Sequence, residues 1–218
     1  LSFEQTKQLL QESNGAYNTQ INDLLLTALG YALSEVLENK VNHVVLEGHG
    51  REEIDDSIDI TRTLGWFTTM YPVRLEIRED IGNSLKWIKE TLRQVPNKGI
   101  GYGALIGYSS GLESRLQLQH ILPRISFNYL GQFDKGESAA SLQIQAQDQN
   151  FWNIVGEVSG ISMHESNQDY NIISINGLII NNSLQFSIGS KLDDSTTTKL
   201  AEAFKSSLVE IINHTINQ

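Results

Sequence analysis

Residues 41–52, VNHVVLEGHGRE, decide the fold, because they join a strand to a turn that holds charged side chains. The apolar run at 44–46 is typical of a buried central strand, and we predict that strand over 42–48. The glycines of the turn permit positive φ and a close approach of a ligand to the backbone. Functional groups of α/β folds lie at the ends of such strands, so Glu47 is a candidate general acid or base.

Amphipathic helices flank this strand in the sequence. Apolar residues recur at helical period over 19–38 and over 195–215, and each pattern predicts a helix with one buried face. The capping box of Ser2 and Gln5 predicts a short first helix. Asn83 is expected to cap a further helix that ends before Pro96.

Four further segments have the apolar patterns of strands. They are residues 68–77, 125–130, 172–180 and 184–188. The last two are predicted to form a hairpin across Asn181-Asn182. Helices interleaved with strands predict an α/β fold, a mixed β-sheet flanked by helices, in one domain without an internal linker.

The composition excludes several classes of protein. The chain has 218 residues and a net charge of −10, which argues against a nucleic-acid partner. Without cysteine it has no disulfide, thiolate zinc site or thiol nucleophile, and its five histidines lack the spacing of a metal site. We expect no membrane segment and a cytoplasmic location. The start at Leu1, without Met, leads us to expect a piece of a longer protein.

Around the candidate base, structural explanations compete with functional ones. Glu47 could form a buried ion pair with Arg51 or Arg62, because structural pairs occupy similar positions. His49, a single histidine between two glycines, is more often a hydrogen-bonded turn residue than a catalyst.

Three other segments could contribute to a site. In residues 65–67, glycine precedes two aromatic side chains, which would suit either a pocket wall or ordinary core; composition favours core. Residues 96–103, PNKGIGYG, follow a helix and lack the spacing of a nucleotide-binding loop, so a flexible turn is predicted there. On the strand at 125–130, Ser126 and Asn128 share one face, and Phe127 and Tyr129 share the other.

Four motifs occur in an order that resembles one family. They are EGHGRE at 47–52, RTLGWFTTMYPV at 62–73, PNKGIGYG at 96–103 and FNYLGQF at 127–133. Together they resemble the signature motifs of epimerization domains of nonribosomal peptide synthetases, members of the condensation-domain superfamily. The resemblance implies a chloramphenicol-acetyltransferase-like fold, in which two α/β halves form a V-shaped pseudo-dimer around a channel.

The resemblance covers only one half of such a domain. The N-terminal half of the family has a His-His-x-x-x-Asp-Gly motif, and this sequence has no adjacent pair of histidines. Residues 1–218 therefore resemble the C-terminal subdomain, which is expected to be inactive alone. The expected partners are the N-terminal half and a peptidyl carrier protein domain.

The resemblance also implies a reaction and its residues. The family inverts Cα of an aminoacyl or peptidyl thioester, which is carried on the phosphopantetheine arm of the carrier domain; no cofactor is expected to bind directly. The implied catalytic residues are Glu47, Asn128 and Tyr129. Substrate-binding residues would be Gly65, Trp66, Phe67 and Ser126, and supporting residues Arg62, His49 and Arg51.

Two alternatives stay open beside epimerization. One is a condensation or cyclization domain that forms an amide. The other is a catalytically silent module that binds a carrier protein. Since carrier domains are commonly acidic, docking would need a local basic patch, for which the candidates are Arg74, Arg78, Lys86 and Lys89.

Overall fold

A five-stranded mixed sheet forms the centre of the molecule. The structure, a computed structural model, describes residues 1–108, 122–132, 164, 166–167 and 169–218. The strands are β1 (Val41–Gly48), β2 (Thr69–Glu76), β3 (Ile125–Gln132), β4 (Ile173–Ile180) and β5 (Ser183–Ser190). In the order β2-β1-β3-β4-β5, the two inner pairs, β1–β3 and β3–β4, are parallel and the two outer pairs are antiparallel. This arrangement confirms the predicted mixed sheet.

Helices supply the second layer. They are α1 (Phe3–Gln11), α2 (Ile21–Leu37), α3 (Ile81–Arg93), a 3₁₀ turn (Pro96–Gly99), α4 (Tyr102–Tyr108) and α5 (Asp194–Ile216). The middle of α2 is buried on every side from Leu24 to Gly30, because α2 packs against α5, α3 and the sheet. The predicted long helices are thus confirmed to within two residues at each end.

Among the described residues, the main core lies on one face of the sheet. Val44 and Leu46 of β1, Phe127 of β3 and Ile175 of β4 all belong to one buried cluster with the helices. Successive side chains of a strand point to opposite faces. The alternate residues of the same strands therefore lie on the other side of the sheet, away from this cluster.

Of the three caps and turns predicted from the sequence, two are confirmed and one is wrong. Ser2 caps α1 in a capping box with Gln5. Asn181 and Asn182 join β4 to β5 with φ of 51° and 56°, which the predicted two-residue hairpin turn requires. The predicted cap of α3 is wrong: the cap is Asp80, whose carboxylate accepts a bond of 2.8 Å from the backbone N–H of Asn83.

The turn predicted at 96–103 is present at the start of this segment and is replaced by a helix at its end. Pro96 begins a 3₁₀ turn, and α4 starts at Tyr102. Gly99 has φ of 81° and lies so close to the ring of Tyr71 that an added Cβ would stand 2.2 Å from it. Gly99 is therefore needed for close packing against Tyr71. The number of glycines in a segment does not tell whether they allow close packing or flexibility.

In the described part of the chain, no helix is long and apolar enough to cross a membrane.

Candidate functional site

The side of the sheet away from the helices holds most of the candidate site. We call it the polar face. Its polar members include Glu47, Ser126, Asn128, Ser174, Asn176 and Ser187, and they share the face with the apolar residues Val45, Met70, Pro72 and Leu178. Because directly paired residues of adjacent strands share a face, the pairs Glu47–Met70, Asn128–Asn176 and Asn176–Ser187 form one row across the sheet.

Glu47 and Asn128 are hydrogen-bonded at the centre of that row. The Nδ2 atom of Asn128 donates to Oε2 of Glu47 over 3.1 Å. The parallel pairing of β1 with β3 matches Leu46 with Phe127, so the next residue of each strand comes abreast. Glu47 itself is exposed, and the amide of Asn128 orients its carboxylate without neutralising it. Two of the three implied catalytic residues therefore meet.

Tyr129 lies on the opposite side of β3 from this pair. It packs, half-buried, against the core beside the helices. Burial raises the pKa of its phenol above the usual value of 10.0, so the group is protonated at neutral pH. The structure does not bring this implied catalytic residue to the carboxylate of Glu47.

The ion pair considered for Glu47 does not form with either arginine. Arg51 donates instead to the carbonyl oxygens of Ile60, Thr63 and Gly65, over 3.2, 3.0 and 3.4 Å. Its guanidinium also lies 4.4 Å from the centre of the Phe67 ring. Arg51 thus organises the loop after β1, since one planar cation with five donors can satisfy several carbonyls together. Arg62 is exposed and takes part in no ion pair within the described ranges.

His49 is a hydrogen-bonded turn residue in this structure. Its Nδ1 atom accepts from the backbone N–H of Arg51 over 3.0 Å, and its Nε2 atom lies 3.0 Å from Oε1 of Glu52. The other carboxylate oxygen of Glu52 is 3.1 Å from Nζ of Lys98. Gly50, at φ 66°, closes the turn so tightly that an added Cβ would overlap the carbonyl oxygen of Phe67.

The implied substrate-binding residues are distributed over two places. Trp66 is 89% exposed, so the interpretation as core, which composition favoured, is wrong for it. Phe67 is half-buried beneath Arg51, and Gly65 stands against the Phe67 ring. Ser126 lies on the polar face, two residues before Asn128 on β3.

Sequence reasoning missed three residues near the site. Asn176 continues the row of the polar face beside Asn128, and Met70, half-exposed, is paired with Glu47. The signal for Asn176 was present, because Ser174 and Asn176 are polar residues at alternate positions of an otherwise apolar strand. Lys98 reaches Glu52 through folding of a distant segment, and no local pattern indicates that contact.

The four cations considered for carrier docking have partners within the chain. Arg74 and Arg78 both pair with Glu76, over 2.7 and 3.0 Å. Lys86 lies over the ring of Tyr17, and Lys89 donates to the Tyr17 carbonyl over 2.9 Å. Glu76 thus offsets part of the positive charge, and carrier docking at this surface stays a prediction.

Acidic, histidine and cysteine side chains do not gather into a metal-binding group anywhere in the ranges that the structure describes. The candidate site therefore consists of a carboxylate, an amide and a row of small polar side chains. Such a set can move a proton at Glu47 and donate or accept hydrogen bonds along the row.

Comparison with known proteins places this geometry in context. A family model for the condensation domain matches residues 1–218. Surfactin synthase subunit 1 of Bacillus subtilis (strain 168) is 38% identical over 224 residues, covering 100% of the chain and 6% of that protein. Gramicidin S synthase 1 of Brevibacillus brevis is 37% identical, covering 100% of the chain and 20% of that protein.

Solved structures give the same fold. The epimerization domain from the third module of tyrocidine synthetase B superposes with a TM-score of 0.85 at 33% identity, covering 100% of this chain and 47% of that one. The first condensation domain of the CDA synthetase gives a TM-score of 0.59 at 14% identity, covering 97% and 43%. The chain thus spans about half of each solved domain and a fifth or less of these two synthetases.

Proposed function

The chain belongs to the condensation-domain family of nonribosomal peptide synthetases, and we propose that it is one half of an epimerization domain. The proposed reaction converts the L to the D configuration at Cα of an aminoacyl or peptidyl thioester, which a carrier protein holds on its phosphopantetheine arm. The isomerase activity, the carrier and the N-terminal half are parts of this proposal.

Two findings support epimerization over amide formation. The similarity to the solved epimerization domain is much greater, in both sequence and superposition, than that to the solved condensation domain. The sequence GWFTTMYPV at 65–73 also resembles the epimerizing branch. Condensation domains usually have a different, Asn-containing segment after the glycine and the aromatic residues. Because the condensation likeness lies under one-fifth identity, it supports the fold and not the reaction.

The hydrogen-bonded pair of Glu47 and Asn128 carries the proposal. Inversion at Cα breaks the Cα–H bond, and the electron pair moves into the thioester carbonyl to form an enolate. A proton must then be returned to the other face of Cα. A carboxylate held in one orientation on an exposed sheet face suits one of these two proton transfers, and it needs a second group opposite.

The second group would come from the other half of the domain. We assign it to the N-terminal half, where the family has its His-His-x-x-x-Asp-Gly motif. Glu47 would take the proton from one face of Cα, and the second group would return a proton to the opposite face. Alternatively, the second group would take the proton and Glu47 would return one. Asn128 would keep the carboxylate aimed at Cα, and Trp66 would contact the channel or the arm.

The test uses the full-length protein, by which we mean the protein that contains both halves of the domain. It is incubated in heavy water with a carrier domain that is loaded with an aminoacyl group. We expect deuterium to enter Cα and the thioester to become a mixture of stereoisomers, with no change in chain length. A parallel reaction includes a downstream carrier loaded with an acceptor amine. A longer thioester without Cα deuterium would identify an amide-forming domain, and carrier binding without either product would identify a silent module.

A further inference from the structure

The position of Glu47 is not fixed by the pairing of β1 with β3 alone. Their paired residues are Val45 with Ser126 and Leu46 with Phe127. At Glu47 the backbone of β1 is paired with β2, through Met70, and reaches β3 by the side chain of Asn128. The ladder with β2 ends one residue later, at Gly48 and Thr69, and the turn that carries Glu52 follows directly. Gly48 also lies close to the 3₁₀ turn, because an added Cβ would stand 3.3 Å from the carbonyl oxygen of Lys98.

Glu52 ties that turn at both of its carboxylate oxygens. Oε1 is 3.0 Å from Nε2 of His49, and Oε2 is 3.1 Å from Nζ of Lys98. The Glu52 side chain is only 18% exposed, whereas that of Lys98 is 70% exposed, so water reaches this ion pair from the lysine side. We call these three residues the Glu52 clamp.

The clamp also fixes the orientation of His49. Its Nδ1 atom accepts from the Arg51 backbone N–H, so the proton of the neutral ring is on Nε2, directed at Glu52. Arg51 in turn holds the carbonyls of the following loop. A single carboxylate therefore connects the end of β1 with the loop that displays Trp66.

At its other end the clamp holds a strained backbone. Asn97 and Lys98 have φ of 44° and 50°, in the left-handed region that side chains other than glycine disfavour. Such strain persists only where surrounding contacts determine the conformation, and it is typical of functional regions. Lys98, one of these two residues, is the one that contacts Glu52.

We propose that Glu52 and Lys98 are positioning residues for Glu47. Their ion pair joins the turn after β1 to the 3₁₀ turn, and it holds the Glu47 carboxylate at hydrogen-bonding distance from Asn128. The inference rests on the proposed function for its effect on catalysis, but its structural part stands independently. Neither residue touches the reacting atoms in this assignment; both act through the backbone of residues 48–52.

The experiment compares four variants of the full-length protein. Glu52→Gln and Lys98→Met each remove one charge, Lys98→Arg keeps the positive charge, and Lys7→Met removes an exposed lysine of α1 outside the clamp. Amide hydrogen exchange of peptides covering 48–52 is measured by mass spectrometry. Cα deuterium uptake in the carrier-bound thioester gives kcat and KM.

Glu52→Gln and Lys98→Met are expected to speed amide exchange at 48–52 about tenfold, without a general rise elsewhere. Misplacing the carboxylate should lower kcat by up to about tenfold, the loss expected when the hydrogen bond from Asn128 is removed, and leave KM within about twofold. Lys98→Arg should retain kcat within about threefold, and Lys7→Met should match the parent in both measurements.

Three results would overturn the clamp. They are unchanged amide protection at 48–52, an unchanged kcat in both charge-removing variants, and faster exchange throughout the chain with Lys98→Arg equally impaired. A parent protein without Cα uptake would instead overturn the proposed function, and the amide exchange of residues 48–52 would then decide whether the clamp holds the turn.

Discussion

The two faces of the sheet have opposite compositions although they share the same strands. Toward the helices, Val44, Phe127 and Ile175 are almost fully buried in one apolar cluster. On the polar face, the residues that alternate with them include Glu47, Asn128 and Asn176. Within the described residues, the main apolar cluster lies on the helix face, and on the polar face Val45 is a buried apolar residue of β1.

That difference indicates where function lies. Antiparallel strand pairs commonly keep one face in water, so polarity of that face does not by itself indicate a site. Here the exposed carboxylate of Glu47 is oriented by the amide of Asn128, and a second amide follows in the same row. Substitutions on the polar face should therefore change activity, and substitutions on the helix face should change stability.

The largest effect is expected at Glu47. Glu47→Gln keeps the size of the side chain but removes the proton acceptor, so Cα deuterium uptake should fall by about 10²- to 10⁴-fold. Carrier binding and the unfolding midpoint should match the parent, because the side chain is exposed. Glu53→Gln, an exposed carboxylate of the same region, is the control. Undiminished Cα uptake in Glu47→Gln would remove Glu47 from the mechanism.

Neighbouring residues of β4 give the next comparison. Ile175 is fully buried on the helix face, and Asn176 is exposed on the polar face. Ile175→Ala should lower the free energy of unfolding by about 2–5 kcal/mol, since it deletes buried methyl groups and leaves a cavity. Asn176→Ala should change it by less than about 0.5 kcal/mol. Chemical denaturation of both variants measures this; similar losses would contradict the division between the faces.

A smaller effect on activity is expected at Asn128. Asn128→Ala leaves the carboxylate of Glu47 in place but without its hydrogen-bond donor, so kcat for Cα uptake should fall by about tenfold. Ser126→Ala, two residues earlier on the same face, tests whether any polar loss has this effect. If kcat fell equally in both variants, the loss would not be specific to the amide of Asn128, and this prediction would be wrong.

Periodicity and turn chemistry predicted much of the fold. The stripe of α2, the capping box at Ser2 and the asparagines between β4 and β5 are local signals, and the structure confirms all three. Two corrections to the fold, the cap of α3 and the helix that begins at Tyr102, concern where helices begin. Asp80 and Asn83 could each cap a helix, and only the backbone geometry decides between them.

The candidate site was less predictable because its contacts are long-range. Alternation along β3 placed Asn128 and Tyr129 on opposite faces, but the sequence does not reveal which face carries Glu47. The parallel register of β1 and β3 decides this, and it joins residues 81 positions apart. Arg51 could similarly be expected near Glu47, while its actual partners, three carbonyls and the Phe67 ring, depend on the loop conformation.

The smallest effect is expected at Tyr129, which tests whether the division between the faces extends to β3. Tyr129→Phe removes a hydroxyl on the helix face, so Cα uptake should stay within about threefold of the parent.

Burial raises the pKa of this phenol above 10.0, so the unfolded chain loses its proton first as the pH rises. The parent should therefore lose stability above about pH 10, and Tyr129→Phe should lose less over that range. Tyr31, Tyr71 and Tyr102, whose pKa values burial also raises, keep part of the dependence in both proteins. Denaturant midpoints at pH 8 and above pH 10 measure the difference. A loss of Cα uptake as large as that of Glu47→Gln would instead require the phenol to reach the substrate, against the packing of Tyr129 on the core.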